Sequence, residues 1–151
     1  MEIELIDFRT ENEKAEDQKW APLRAHEHDA GSDVYSSEDI IVKPHSVANI
    51  GLRFGIKIPE GFMGAIYPRT SMAKKGLIAQ LPPIDPGYTG EVHGILINTT
   101  NEPIEVKKND RIGQLVIHSI VEPEFVSKGE PLKQTFIEKA RGSDAFGSTG
   151  R

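Results

Sequence analysis

The nonapeptide PIDPGYTGE, Pro83 to Glu91, sets an acid and an aromatic ring three residues apart around a tight bend. Pro86 fixes φ for the first turn position, and Gly87 accepts the positive φ that a type II turn asks of the next. The strand-like run EVHGILIN follows at once, so Asp85 and Tyr88 are held near one spot on a rigid element. An aspartate is ionised at neutral pH and, so placed, can take a proton from water. The alternative is an Asp that caps a surface turn, as many turn aspartates do, and the nonapeptide by itself leaves both open.

Four other stretches carry groups that a phosphorylated ligand would need. AGSDVY, Ala30 to Tyr35, sets Asp33 behind a Gly and a Ser, where a carboxylate could hold a hydrated magnesium ion beside an anionic ligand. PRTSMAKKG, Pro68 to Gly76, has Arg69 at a strand end, hydroxyls on Thr70 and Ser71, and a helix start. Helix N-termini and their capping hydroxyls bind phosphate, and an Arg adds a bidentate clamp; an ordinary cap with a surface Arg is the alternative. RIGQLVI, Arg111 to Ile117, puts Arg111 and Gln114 at opposite parities of an apolar strand, so they should point to opposite faces and at least one should need a partner inside. Arg111 could equally be structural. The tail RGSDAFGSTGR carries Arg141, Phe146, Gly147, Ser148 and Thr149, a cation, a ring and two hydroxyls that could fold over a nucleotide, or else a linker with a stray Phe. His26, Glu27, His28 and Asp29 invite a metal-site reading, but neighbours on a strand diverge and could converge only in a loop.

The elements that must position these groups are strands. At 151 residues the chain fits one domain with its own core. Gly and Pro recur every eight to twelve residues, and the segments between them favour Ile and Val, which indicates an all-β domain. In SVANIGLRFGIKI, Ile50, Leu52, Phe54, Ile56 and Ile58 share one parity against Asn49, Arg53 and Lys57, so one face is buried. GILI after the bend is apolar on both parities, which predicts a strand buried on both faces, in a sandwich or at a subunit contact. One short helix is expected at SMAKK, capped by Thr70 or Ser71 and ended by Gly76. The polar stretch from Thr10 to Lys19 has no apolar stripe and reads as a loop or a frayed helix.

Bulk properties narrow the function classes. The chain has no cysteine, so disulfides and thiolate chemistry are excluded and a reducing cytosol suits it. No apolar run approaches the roughly 20 residues of a membrane span, and the N-terminus lacks the basic start of a signal peptide; a cytoplasmic, membrane-free protein is expected. A net charge of -5 argues against binding a nucleic acid polymer.

Taken in order, the five stretches from Ala30 to Gly150 resemble the signatures of the trimeric dUTPase family. The resemblance implies a jelly-roll-like β-sandwich over residues 1–140, a flexible arm over 141–151, and a homotrimer whose sites are shared between subunits. It implies hydrolysis of dUTP to dUMP and pyrophosphate with Mg2+. By the same likeness Asp85 activates the attacking water, and Asp33 reaches the magnesium ion through a water. Arg69, Thr70, Ser71 and Gln114 grip phosphate. Tyr88 packs under the deoxyribose and rejects a 2′-hydroxyl, while Pro83, Ile84 and His93 supply the backbone that reads uracil. Arg141, Gly147, Ser148 and Thr149 close on the outer phosphates, and Phe146 stacks on the base.

The chain departs from that pattern in three places. IAQLPP precedes Ile84 where the family has a Gly and an Asn, Thr70 stands where Ser is usual, and Asp144 and Ala145 replace two glycines. A related fold, dCTP deaminase, is similar around PRTSMAKKG and IDPGY, but its chemistry requires a glutamate where this chain has Ile95. The resemblance also extends to bacteriophage relatives that look dual-purpose, so a regulatory protein partner is the remaining alternative.

Overall fold

The computed structural model describes residues 1–133, 135, 136, 142 and 143. Strand β1 (Leu5–Asp7) leads into helix α1 (Glu11–Ala15), followed by β2 (Ser32–Tyr35), β3 (Ile40–Val42), β4 (Val47–Gly51), β5 (Phe54–Ile56) and β6 (Phe62–Tyr67). Helix α2 (Thr70–Lys74) then separates β6 from β7 (Leu77–Ile84). The chain continues with β8 (His93–Asn98), β9 (Ile104–Val106), β10 (Arg111–Ser119), β11 (Val126–Ser127) and β12 (Glu130–Pro131). A six-stranded sheet runs in the order β2-β10-β6-β7-β8-β4, and β1-β5, β3-β9 and β11-β12 form two-stranded pairs.

The architecture is all-β, as the alternation implies. The large sheet contributes Val34, Ile50, Leu77, Leu96 and Ile112 to one buried cluster, and the small pairs contribute Val42, Phe54, Ile56 and Val106 to the same cluster. Pairs β1-β5 and β3-β9 therefore close over one face of the sheet, which makes a sandwich, whereas β11-β12 is exposed. Ile50, Leu52, Phe54, Ile56 and Ile58 are all buried, but they do not form one strand. At Arg53, φ is 64°, and the run leaves β4, paired with β8, to become β5, paired with β1.

Two short helices are present rather than one. Helix α1 lies in the polar stretch after Thr10 and buries no residue. A capping box holds it: Glu13 N donates to Thr10 Oγ1 at 3.3 Å and Thr10 N to Glu13 Oε2 at 2.8 Å. Five residues give hardly more than one turn, so there was no apolar period to read. Helix α2 begins at Arg69 as N-cap, with no side-chain cap bond, so neither Thr70 nor Ser71 is the cap that the sequence suggested.

Within one chain β8 is buried on one face only, so the sandwich interior that GILI allowed is not its setting, and the subunit contact remains. Gly94, Leu96 and Asn98 are buried, whereas His93, Ile95 and Ile97 are only half-buried. Ile97 is flanked in register by Val47 and Ile78, and Val47 is 65% exposed, so one chain leaves an apolar strip open on this face.

Two β-bulges adjust the large sheet. Gly64 pairs Ile84 while Ile66 pairs Leu81, so β7 carries one extra residue at Pro82–Pro83. Proline has no N–H to give a ladder, and inside a sheet it is accommodated at a bulge. A second shift lies between Arg111 and Gly113 in β10.

Buried Asn98 fastens the end of β8. Its Nδ2 donates to Val42 O at 2.9 Å and Glu102 O at 2.8 Å, and its Oδ1 accepts from Thr100 N and Oγ1 at 2.9 and 2.8 Å. Asn98→Ala leaves those partners with no side chain to meet them and should lower the unfolding free energy by about 2–4 kcal/mol. Urea melts of the two proteins at one chain concentration check this, and equal midpoints would show that the fastening contributes little.

Candidate active site

Strand pairing gathers the first cluster. Asp33 on β2 is opposite Gln114 on β10, which is opposite Tyr67, the last residue of β6. The chain then passes Pro68 and Arg69 into α2, so Asp33, Arg69, Thr70, Ser71 and Gln114 line one cleft of about 340 Å³. Asp33 Oδ1 lies 3.4 Å from Arg69 Nε and its Oδ2 3.4 Å from Arg111 Nη1, loose pairs for charged groups. Gln114 Nε2 donates to Pro68 O at 3.2 Å, and Arg69 Nη1 to Arg111 O at 3.2 Å. A Cβ on Gly31 would stand 2.5 Å from Gln114 Oε1, so the residue before Ser32 must be small for Gln114 to lie where it does.

Arg111 corrects the parity argument. The bulge after it shifts the register by one residue, which brings Arg111 to Asp33 on the same side as Gln114 instead of the opposite one. Its side chain is 52% exposed, so it is not a buried structural arginine.

The second cluster is the bend between β7 and β8. Tyr88 N donates to Asp85 O at 3.2 Å and Gly87 has φ of 83°, which is the turn expected of Pro86–Gly87. The Tyr88 phenol donates to Glu91 O at 2.9 Å. The β7–β8 ladder runs from Leu77↔Asn98 to Gln80↔Ile95 and stops there, so the strands part before Pro83, buried Ile84 and His93. His93 Nδ1 is 2.8 Å from Asn49 Oδ1.

The two clusters are not brought together in one chain. Antiparallel pairing of β6 and β7 sets Ile84 beside Gly64, near the start of β6, whereas Arg69 follows its end. At a rise of about 3.3 Å per residue, Asp85 and Arg69 are on the order of 15 Å apart along the strands. Arg141, Phe146, Gly147, Ser148 and Thr149 lie outside the described residues. Gly142, which is described, accepts from Thr89 N at 2.6 Å and bridges Tyr88. No group of three or more His, Asp or Glu able to hold a metal occurs among the described residues, so the sequence around His26 forms none; there Asp29 Oδ2 accepts from His26 N at 2.9 Å.

One feature beside the bend had no signal in the sequence. Arg53 Nε donates to Glu13 Oε1 at 2.9 Å, and its Nη1 and backbone N donate to Glu91 Oε1 at 3.1 and 2.9 Å. Burial pushes the Glu13 carboxyl upward, but bonds from Thr10 N and the Arg53 guanidinium outweigh it and hold the group below its ordinary range. Burial lowers Arg53, and the two carboxylates more than reverse that.

A family model described as dUTPase matches residues 17–150. The deoxyuridine 5'-triphosphate nucleotidohydrolase of Mycolicibacterium gilvum (strain PYR-GCK) is 36% identical over 133 residues, 85% of this chain and 86% of its own length. That of Paramecium bursaria Chlorella virus 1 is 39% identical over 130 residues, 85% of this chain and 89% of its own. Among solved structures, a variant dUTPase of Staphylococcus bacteriophage 80alpha with dUpNHpp superposes with a TM-score of 0.72 at 27% identity, covering 99% of each chain. A variant dUTPase from phage phi11 of S. aureus, described as coordinating a structural Mg(II) ion, gives 0.75 at 24% identity over 86% of this chain and 98% of that one, a likeness of fold.

Helix α1 precedes the matched range, yet Glu13 ties it to the bend. Because the folded Glu13 carboxyl titrates below its unfolded value of about 4.3, its stabilisation is complete above that pH and is lost as pH falls through the folded value. Glu13→Gln should therefore unfold at lower urea than the parent at pH 7, with the gap narrowing below about pH 4.5. A gap that is constant from pH 7 to pH 3.5 would show that charge plays no part.

Proposed function

The chain belongs to the dUTPase family, and on that basis we propose how its residues hydrolyse dUTP to dUMP and pyrophosphate. The reading is carried by the convergence of Asp33, Arg69, Thr70, Ser71 and Gln114 on one cleft, a donor set for a polyphosphate, with Asp85 and Tyr88 held on a separate rigid turn. Asp85 orients a water and takes its proton as the oxygen attacks the α-phosphorus. The bond from that phosphorus to the bridging oxygen breaks, and pyrophosphate leaves. Arg69, Thr70, Ser71 and Gln114 hold the phosphates, and Arg141, Gly147, Ser148 and Thr149 close on the outer ones. The bond from Thr89 to Gly142 supports an arm that reaches the bend.

Tyr88 packs under the deoxyribose, where a 2′-hydroxyl would find neither room nor partner. The parting of β7 and β8 supports a slot in which backbone at Pro83, Ile84 and His93 reads uracil, with Phe146 stacked above. The single carboxylate of the cleft, Asp33, suits Mg2+, which keeps most of its waters and takes its other oxygens from substrate phosphates, so Asp33 would reach it through water while Arg69 meets phosphate. When bound, the ion neutralises charge on the triphosphate.

Asp85 must come within hydrogen-bond reach of the attacking water while the phosphates lie in the cleft, and one chain holds these groups too far apart. We therefore assign each site to more than one subunit of a homotrimer, with the apolar strip of Val47, Ile78 and Ile97 available for contact between copies. Every chemical role is filled, so a binding-only protein is not favoured, and Ile95 offers no acid for deamination.

Asp85→Asn should lower kcat by about 10²–10⁴-fold in a Mg2+-dependent pyrophosphate-release assay with dUTP, with KM little changed and the fold intact. Turnover equal to the parent would remove Asp85 from the chemistry. Refolding Asp85→Asn together with Arg69→Ala, each inactive by itself, should restore part of the activity, because some sites then combine an intact bend with an intact cleft. Absence of any recovery in mixed oligomers would place both groups of one site on the same chain.

A further inference from the structure

We propose that Glu13 of α1 and Arg53 form a staple that positions Tyr88, and through it sets how strongly deoxyribose is preferred to ribose. The inference rests on the role given to Tyr88 above. The segment between β7 and β8 runs from residue 85 to residue 92; β7 and β8 pair with each other only as far as Gln80↔Ile95, while β6 holds β7 to Ile84 and β4 holds β8 to His93. A turn bond fixes Tyr88 to Asp85 at one side of this segment. At the other side Val92 N donates to Phe54 O at 2.7 Å, Val92 O accepts from Leu52 N at 2.9 Å, and Arg53, between Leu52 and Phe54, holds the Glu91 side chain.

The support through Arg53 is continuous. Arg53 reaches Glu13 with Nε and Glu91 with Nη1, its backbone N donates to the same Glu91 oxygen, and its backbone O accepts from Phe8 N at 3.0 Å. The backbone oxygen of Glu91 then receives the Tyr88 phenol. The side chains of Arg53, Glu13 and Glu91 are 26%, 14% and 22% exposed, so the network is shielded well beyond a surface ion pair. Backbone is cleared for each link. A Cβ on Gly51 would stand 2.5 Å from Glu91 Oε1, one on Gly90 2.5 Å from the Tyr88 hydroxyl, and one on Gly55 3.0 Å from Gly90 O. The loop thus lies directly on β5, with the Arg53 corner at its edge.

Glu13 touches no group assigned to substrate, so it is a positioning residue. It acts on a ring whose task is steric, and such a task fails when a supporting shell loosens by a fraction of an ångström. Loss of the staple should let the ring yield to a 2′-hydroxyl before it abolishes turnover of dUTP.

The test compares kcat/KM for dUTP and UTP in the full chain, with thermal midpoints, for Glu13→Ala, Glu13→Gln, Arg53→Lys and Tyr88→Ile. Glu13→Ala is expected to lower the dUTP-to-UTP ratio about fivefold or more, mostly through tighter use of UTP and a raised KM for dUTP. Glu13→Gln should keep most of the ratio, since its amide oxygen can still accept from Arg53 Nε. If Glu13→Ala does not fold, Arg53→Lys, which keeps the charge and loses the fork, is expected to show the same fall. An unchanged ratio in the folded variants, with Tyr88→Ile lowering it, would overturn the staple even if the midpoints drop. An unchanged ratio in Tyr88→Ile would overturn the reading of Tyr88 itself, and the staple's role with it.

Discussion

Arg53 occupies a corner at which the core face must pass from one layer of the sandwich to the other without changing sides. Ile50 and Leu52 before it and Phe54, Ile56 and Ile58 after it are all buried, so the backbone turns while side-chain parity is kept. The left-handed φ of 64° that achieves this costs a non-glycine residue on the order of 1–2 kcal/mol. Bonds from Arg53 N to Glu91 and from Phe8 N to Arg53 O fix the corner and offset that cost. The same bonds join the N-terminal strand, the corner and the segment before β8, so the strain, the core and the bend share one support.

Antiparallel pairing then decides where chemistry can be placed. Because β6 ends where β7 begins, the residues that follow β6 and those that follow β7 lie at opposite ends of the sheet. A cleft of cations and hydroxyls and a turn bearing an acid are each well built and each incomplete. Joining them within one chain would require one group to cross the length of a strand pair. Joining them between copies requires only surfaces that associate, and apolar residues with exposed faces such as Val47, Val121 and Phe125 are present on this chain.

What the sequence made legible is what short-range rules govern. Period-two burial from Ile50 to Ile58 follows from the pleat, and the turn at Pro86–Gly87 follows from the φ each residue prefers. Between a loop and a frayed helix the sequence leaves α1 open, because its stability comes from a capping box and from Arg53, 40 residues away from Glu13, rather than from an apolar stripe. Arg53 itself looked like a solvent-facing member of an alternating strand, since nothing local distinguishes a corner from a straight run. Of the two settings that GILI allows, a sandwich interior or a subunit contact, a single chain does not supply the first, because Ile95 and Ile97 are only half-buried in it.

Bulges account for the remaining difference, and they show how one residue relocates chemistry. In a regular strand Arg111 and Gln114 would diverge, but the extra residue in β10 confines a change of face to one end and sends both toward Asp33. The bulge keeps Ile112 and Gly113 buried in succession, which a pleated strand with two side chains would resist. Gly113 makes it possible, because a Cβ there would stand 3.1 Å from both Ile66 Cγ2 and Tyr67 O. In β7 the cause is reversed: Pro82 and Pro83 cannot donate to the ladder, so an interior strand accommodates them only by bulging. The bulge falls just past the last β7–β8 pair, where the strands separate toward the bend. A missing side chain in one strand and two missing donors in the other therefore place the polar groups of the cleft and the mouth of the turn.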